Sequence, residues 1–316
     1  MSKGLTLATT HLPEQPVSLQ DFVTASRAPS TLRAYRTDWR CFLSWCEQEG
    51  VPALPASPEV VARFLVSQAG YKPATLSRRL AAINAAHELA DHPSPTGTSL
   101  VGLTLSGIKR TYGAAQRQVR PVMTQDLQQL VATVGDDLVG VRDKALLLVG
   151  WAGALRRSEL VAIQVEDLEF AAGGVVVMIR KSKTDQEAKG EEIGIPYGST
   201  PDTCPVTALQ AWLDASGISS GAIFRRIDQW GNLGVNALHP GTVAEVVKKR
   251  VSVLGLDPAQ FAGHSLRSGL ATSAAQNGAS EIQIMAQTRH TSSAMVKRYI
   301  RKGNLFRQNA ASLAGL

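Results

Sequence analysis

Apolar residues recur three and four positions apart along most of this chain and alternate two apart in only a few short stretches. The first helical pattern lies between Ser30 and Gly50. Leu32, Tyr35, Trp39, Phe42, Leu43 and Cys46 mark one face, Ser30 stands at the capping position, and Gly50 stands where a helix ends. Ser57-Pro58 signals a second helix reaching about Ala69, with proline in its first turn. A third follows Pro73, with Leu76, Leu80, Ile83 and Leu89 on one side and Ser77, Arg78 and Arg79 on the other. A fourth, shorter helix is expected over Ser99–Tyr112. Residues 20–112 therefore read as a small all-helical unit. The next stretch, GAAQRQVR, has no apolar periodicity and reads as a basic linker over residues 113–121.

Residues 122–316 form the second expected unit, and its pattern is mixed. Thr124 is placed to cap a helix to about Val134, and a longer helix is expected from Asp137 through Leu148. GALRRSELVAI, residues 153–163, reads as a turn entering a helix. GVVVMIR at 174–180 is β-branched, and Glu192–Pro196 alternates with Ile193 and Ile195 inward. Between them lies a polar, lysine-rich tip, so the pair predicts an antiparallel hairpin. Pro205–Ser216 reads as helix, Ala222–Arg226 as a short strand, and Thr242–Leu254 as a helix clustering Lys248, Lys249 and Arg250. From Gly263 to Arg301, Leu270, Ile282, Ile284, Met285 and Met295 among small residues predict three short helices, with breaks at Gly278 and at His290-Thr291. Leu305, Phe306, Ala310 and Leu313 mark a last short helix with one apolar stripe. The fold class is mainly α with a small antiparallel β-sheet (α+β), in two domains.

Charge narrows the partners. Lys and Arg number 33 against 26 Asp and Glu, a formal net charge of +7 that favours a polyanion or an anionic membrane surface. No apolar run approaches the roughly 20 residues of a bilayer helix, so no membrane role is expected. The first residues lack a long apolar signal core, and a cytoplasmic protein of a bacterium or mobile element is the expectation. Three cysteines in no metal-ligating spacing predict reduced thiols. No ATP-binding glycine loop and no carboxylate cluster occurs, so the expected metals and cofactors are none.

The chemistry concentrates in GHSLRSGLATSAAQNGASEIQIMAQTRHTSSAMVKRYIR. His264 and Arg267 are three apart and share a helix face, His290 follows an arginine, and Tyr299 comes nine residues later. Two imidazoles, a guanidinium and a phenol exceed what a packed core requires. They are groups that can hold a phosphodiester and attack it. Upstream stand Arg156 with Glu159, and Lys183 in the hairpin tip. In this order, and over nearly the whole chain, these elements resemble the tyrosine recombinase family, also called phage integrases. GALRRSEL resembles the family's first arginine box, SKT at 182–184 its hairpin lysine motif, GHSLR its His-x-x-Arg, and the step from His290 to Tyr299 its nucleophile segment.

The resemblance implies that Tyr299 is the nucleophile, that Arg156, Arg267 and His290 hold the phosphate, that Lys183 rather than Lys181 is the general acid, and that Glu159 orients its neighbours. Elementary chemistry agrees. Two guanidiniums can grip the non-bridging oxygens, His264 can take the tyrosine proton, and the leaving 5′-hydroxyl needs an acid. The implied activity is site-specific DNA recombination through a 3′-phosphotyrosyl intermediate. The expected partner is double-stranded DNA with inverted-repeat half-sites, clamped between the two units. Arg78, Arg79, Lys248, Lys249 and Arg250 are the DNA-binding candidates, and the last helix is expected to link four protomers into a homotetramer. Two other readings remain: a type IB topoisomerase-like enzyme relaxing one duplex, and a DNA-binding regulator that does not cut.

Overall fold

Among the described residues of the N-terminal unit, proline opens three of the four α-helices: α1 (Pro29–Glu49), α2 (Pro58–Ser67) and α3 (Pro73–Leu89). Its fixed φ suits a first helical turn, where its missing N–H is not needed. The computed structural model describes residues 28–113, 119–180, 190–303 and 314. The chain divides into two units, Met1–Arg117 and Gln118–Leu316.

In the first unit α1 to α3 and α4 (Ser99–Tyr112) surround Phe42, Phe64, Leu65, Leu76, Ile83 and Val101. Ser57 caps α2 by accepting the Val60 N–H (3.3 Å), as the sequence predicts, and Gly50 closes α1 at φ +65°. Ser30 does not cap α1. The helix begins one residue earlier, at Pro29, and Ala28 at the cap offers no side-chain acceptor. Arg79 is likewise not on a DNA-facing surface. It is 7% exposed, its guanidinium lies 4.2 Å from the Tyr71 ring centroid, and it bonds Gln68. Asp38, itself buried, explains this: it draws Arg78 into two bonds (2.6 and 3.1 Å) and Arg79 to 3.9 Å. Arg78 keeps about half of its side chain in solvent (49%).

The second unit is built on α6 (Leu138–Ala152), whose Ala145–Val149 run is almost wholly buried. Asp137 caps it at the Gly140 N–H (2.8 Å), and it runs four residues beyond the expected end, to Ala152. Before it, α5 (Thr124–Ala132) starts with Met123 at the cap, where Asp126 accepts the Met123 N–H (2.9 Å). Thr124 is inside the helix and is not the cap. After α7 (Arg157–Ala162) come β1 (Leu168–Ala171), β2 (Gly174–Ile179) and β3 (Glu191–Pro196), an antiparallel sheet in that order. Val175, Val177 and Ile179 register with Ile195, Ile193 and Glu191. The first strand was not legible because three of its four side chains are exposed. Helix α8 (Pro205–Ser216) follows. The strand expected at Ala222–Arg226 is β4 (Arg225–Ile227). It pairs with β5 (Leu233–Ala237), while Ala222 only bridges Gln164.

Helix α9 (Pro240–Val253) exposes Lys248 and Lys249 but buries Arg250. Arg250 donates to Thr133 O (3.0 Å) and to Asp143 (3.1 Å), and Asp143 also takes a bond from Arg142 (2.7 Å). Arg250 is thus a core cation compensated by a buried carboxylate, and unlike Lys248 and Lys249 it does not face solvent, as a DNA contact would need to.

Three helices close the described chain, as the periodicity predicts: α10 (His264–Gln276), α11 (Glu281–Thr288) and α12 (Ser293–Gly303). Their apolar contacts form a separate small core of Ala271, Ala275, Ile284, Val296 and the Tyr299 ring. Small side chains let α10 lie deep. A Cβ on Gly269 would stand 1.8 Å from Val122 O and 2.9 Å from Trp151 Nε1, which itself donates to Val122 O (2.9 Å). Backbone atoms cannot yield as a flexible side chain does. Gly269→Ala is therefore expected to destabilise the protein by about 1–3 kcal/mol, the usual range for overpacking. Chemical denaturation checks this; an unchanged midpoint would contradict the close approach.

Candidate active site

Most of the functional side chains sit at or near a helix end, where backbone groups are free to bond them, whereas Tyr299 lies within α12. Arg156 is the residue just before α7, and Glu159 lies in that helix's first turn. The Arg156 backbone N–H donates to Glu159 Oε2 (2.9 Å) and its Nη1 to Oε1 (2.6 Å). One carboxylate thus fixes both ends of the arginine. Arg156 keeps 19% of its side chain in solvent, whereas Glu159 is buried.

His264 opens α10, and Arg267 follows one turn later. Arg267 is 1% exposed. Its Nη1 donates to Ala154 O (2.7 Å), at the turn before Arg156, and its Nη2 bonds Thr288 O at the end of α11. The guanidinium therefore ties the arginine-box turn to the segment bearing His290. Ala154 adopts φ +46° at this turn, which presents its carbonyl to Arg267. His290 contacts Thr288 Oγ1 through Nδ1 (2.6 Å), and its ring centroid is 5.9 Å from that of Tyr299. His264 Nε2 lies 3.1 Å from the Tyr299 hydroxyl. Tyr299 is 7% exposed.

The structure thus gathers Arg156, Glu159, His264, Arg267, His290 and Tyr299 into one pocket from four helices and their ends. Lys183 and Lys181 lie outside the described residues, as does the expected last helix beyond Gly303. Sequence reasoning missed one member, Arg289. Its Nη2 donates to Glu159 Oε2 (2.5 Å), and its side chain is 1% exposed. The only sequence signal was its place beside His290.

Electrostatics follow from this crowding. Burial pushes the Glu159 carboxyl up, but Arg289 and the Arg156 bonds outweigh it and hold the carboxyl below its usual range. Burial, reinforced by Arg156 and Arg289, lowers Arg267 to about 10, still protonated at neutral pH. Burial also raises the Tyr299 phenol, against partial relief from Arg267 and Arg298. His264 keeps an open edge to solvent, yet crowding of its ring and then Arg267, Arg156 and Arg157 depress its pKa. His290 falls to about 4, first through burial and then through the same arginines. Both imidazoles are neutral at physiological pH, so His264 Nε2 is available as a proton acceptor beside a protonated phenol.

Residues 121–304, more than half of the chain, match the Phage integrase family, and residues 21–91 match the Phage integrase N-terminal SAM-like domain. An integrase/recombinase xerD homolog of Selenomonas ruminantium is 45% identical over 290 residues, covering 90% of this chain and 85% of that protein. The chain belongs to the phage integrase family. Recombinase cre of Escherichia phage P1 is 25% identical over 285 residues, covering 83% of this integrase and 81% of its own length. Among solved structures, the Tn1549 transposon integrase in complex with transposon right end DNA superposes with a TM-score of 0.65 at 14% identity, covering 91% of this chain and 96% of that one. The XerH site-specific recombinase bound to palindromic difH substrate, in a post-cleavage complex, gives a TM-score of 0.62 at 17% identity, covering 83% of this chain and 73% of that one. These likenesses show the recombinase fold.

The pocket of the free integrase makes a titration prediction. In proton NMR of the DNA-free protein, His290 should stay neutral until about pH 4. His264 should titrate below the ordinary imidazole value of 6.5. Because the folded state disfavours both imidazolium forms, their contribution to stability is present above pH 6.5 and is lost as the pH falls through the depressed values. A normal imidazole titration for both would contradict the cationic pocket.

Proposed function

We propose that Tyr299 is the nucleophile of a site-specific DNA recombinase, which cuts one strand at a time and rejoins it to another through a 3′-phosphotyrosyl intermediate. The family and the close relative support DNA breaking and rejoining as the activity, and disfavour the topoisomerase-like and non-cutting readings. The observation that carries the assignment to Tyr299 is its hydroxyl 3.1 Å from a neutral His264, beside three arginines and one carboxylate. Arg156 and Arg267 bind the non-bridging oxygens of the scissile phosphate and stabilise the charge that builds there on attack. His264 takes the phenolic proton. His290 packs beside Tyr299; its Nδ1 donates to Thr288 Oγ1, so its Nε2 donates to the phosphate only once the bound anion favours the imidazolium. Lys183, between β2 and β3 in the sequence, protonates the departing 5′-oxygen. The phosphotyrosyl ester stores the bond energy, so the free 5′-hydroxyl of a partner strand reverses the step and releases Tyr299.

The partner is DNA. Double-stranded DNA with inverted-repeat half-sites, held in a clamp by the two units, is the finer reading; Arg78, Lys248, Lys249 and the basic segment near residues 113–121 are its proposed contacts. The compartment that fits is the cytoplasm, and no described helix is long and apolar enough to cross a membrane.

The test is cleavage of a nicked suicide duplex that traps the covalent species. Tyr299→Phe keeps DNA affinity and forms no adduct, whereas an adduct above background would overturn the nucleophile. In the same assay Lys183→Ala cleaves poorly, and substrate with sulfur as the bridging 5′-atom restores the rate, because a thiolate leaves without protonation. Rescue of Lys181→Ala instead would move the acid to Lys181.

Leu305, Phe306, Ala310 and Leu313 are spaced as one apolar stripe, and a helix carrying it would be too short to be stable alone. Docking onto a neighbouring protomer would assemble a homotetramer on two sites. Truncation after Asn304 should then leave half-site binding intact and abolish paired-site complexes in gel shift. Wild-type assembly by the truncated integrase would show that this segment is not the link.

A further inference from the structure

Arg289 is costly where it stands. It ends α11 in the left-handed conformation, φ +52°, a position that glycine takes without strain and a bulky residue does not. It also puts a third guanidinium into a pocket that already contains Arg156 and Arg267, and its side chain is 1% exposed. Neither cost is repaid by apolar packing alone. The shortest contact that Arg289 makes is Nη2 to Glu159 Oε2, 2.5 Å. Glu159 Oε2 also accepts the Arg156 backbone N–H (2.9 Å), and Oε1 accepts Arg156 Nη1 (2.6 Å). Weaker contacts to Gly153 O (3.4 Å) and Gln287 O (3.5 Å) hold the guanidinium in place. Its Nε faces Glu191, at the base of β3, at 3.9 Å.

We infer that Arg289 is a positioning residue of the recombination reaction, acting through Glu159 to fix Arg156 for the scissile phosphate. Resting on the reading of the pocket above, it assigns Arg289 a task that the nucleophile and general acid do not share. A carboxylate with only Arg156 as partner can follow that side chain between orientations. Pinned from the far side by Arg289, Glu159 has one orientation, and both of its bonds to Arg156 are set by it. Arg289 spends its Nη2 on the Glu159 carboxylate and its Nη1 on Gly153 O and Gln287 O, so its effect is indirect. The left-handed backbone turns its side chain inward against Glu159, while His290, the next residue, faces Tyr299.

Arg289→Gly suits the test, because glycine relieves the backbone while removing the guanidinium. Suicide-substrate cleavage is measured under single-turnover conditions, with half-site affinity and thermal midpoint measured in parallel. Affinity should stay near wild type, while the cleavage rate falls about 10–100-fold, the range seen when a partner orienting an active-site group is lost. If the defect lies in charge stabilisation at the phosphate, a neutral methylphosphonate at the scissile position needs less of it. On that linkage Arg289→Gly should come within about threefold of the wild-type rate, since the lost interaction is made with a charge no longer there. A general structural defect would slow both linkages equally. Combined with Glu159→Gln, Arg289→Gly should add little, because the two act as one unit. Arg289→Lys, which keeps a cation against Glu159, should recover part of the rate and serves if the glycine variant is unstable.

Wild-type cleavage by Arg289→Gly, equal slowing on both linkages, or multiplied penalties in the double variant would each overturn the inference. So would Arg289→Lys no faster than Arg289→Gly. Failure of the wild-type protein to form an adduct would instead overturn the reading of the pocket. Every rate is taken relative to that control, so the two failures are distinguishable.

Discussion

One buried carboxylate holds the pocket together. Arg156, Arg267 and Arg289 are like charges crowded into a space from which water is largely excluded, and on their own they would repel one another. Glu159 compensates two of them directly, through bonds of 2.5 to 2.9 Å. Backbone carbonyls of Ala154 and Thr288 hold the third. The result is an excess of positive charge that stays in place with no anion bound. A phosphodiester entering such a site meets donors already oriented, which is where electrostatic stabilisation of a transition state is most effective.

Burial, and after it the same charge, sets the protonation states. The arginines and burial keep His264 and His290 neutral, and burial keeps the Tyr299 phenol protonated. The free enzyme is therefore poised with a base beside its acid and no premature phenolate. Bound phosphate adds the negative charge that the pocket lacks. On the proposed roles, that charge favours the imidazolium that His264 would become on taking the phenolic proton, so phosphate binding and activation of Tyr299 would be physically linked.

Much of this was legible in the sequence, and the reasons are particular. His264 and Arg267 share a helix face because three residues separate them, and the three closing helices follow from apolar spacing and the breaks at Gly278 and His290. Their convergence on Arg156 is a matter of tertiary packing, and only the family resemblance joined them beforehand. Arg79 and Arg250 show the opposite limit. Sequence shows a cation on a polar helix side, but whether it faces solvent depends on a distant carboxylate, Asp38 or Asp143, that no local pattern reveals. Arg289 was missed for the same reason, since its partner Glu159 is 130 residues away. Strands β5 and β1 escaped because most of their side chains are exposed.

The central claim is that this pre-charged pocket exists to deliver one scissile phosphate to one phenol. The direct measurement is to trap the covalent complex on a suicide duplex, digest protein and DNA, and locate the nucleotide by mass spectrometry. The account predicts a nucleotide on Tyr299, in the short peptide between Arg298 and Arg301. A nucleotide on any other residue, with Tyr299 unmodified, would contradict it.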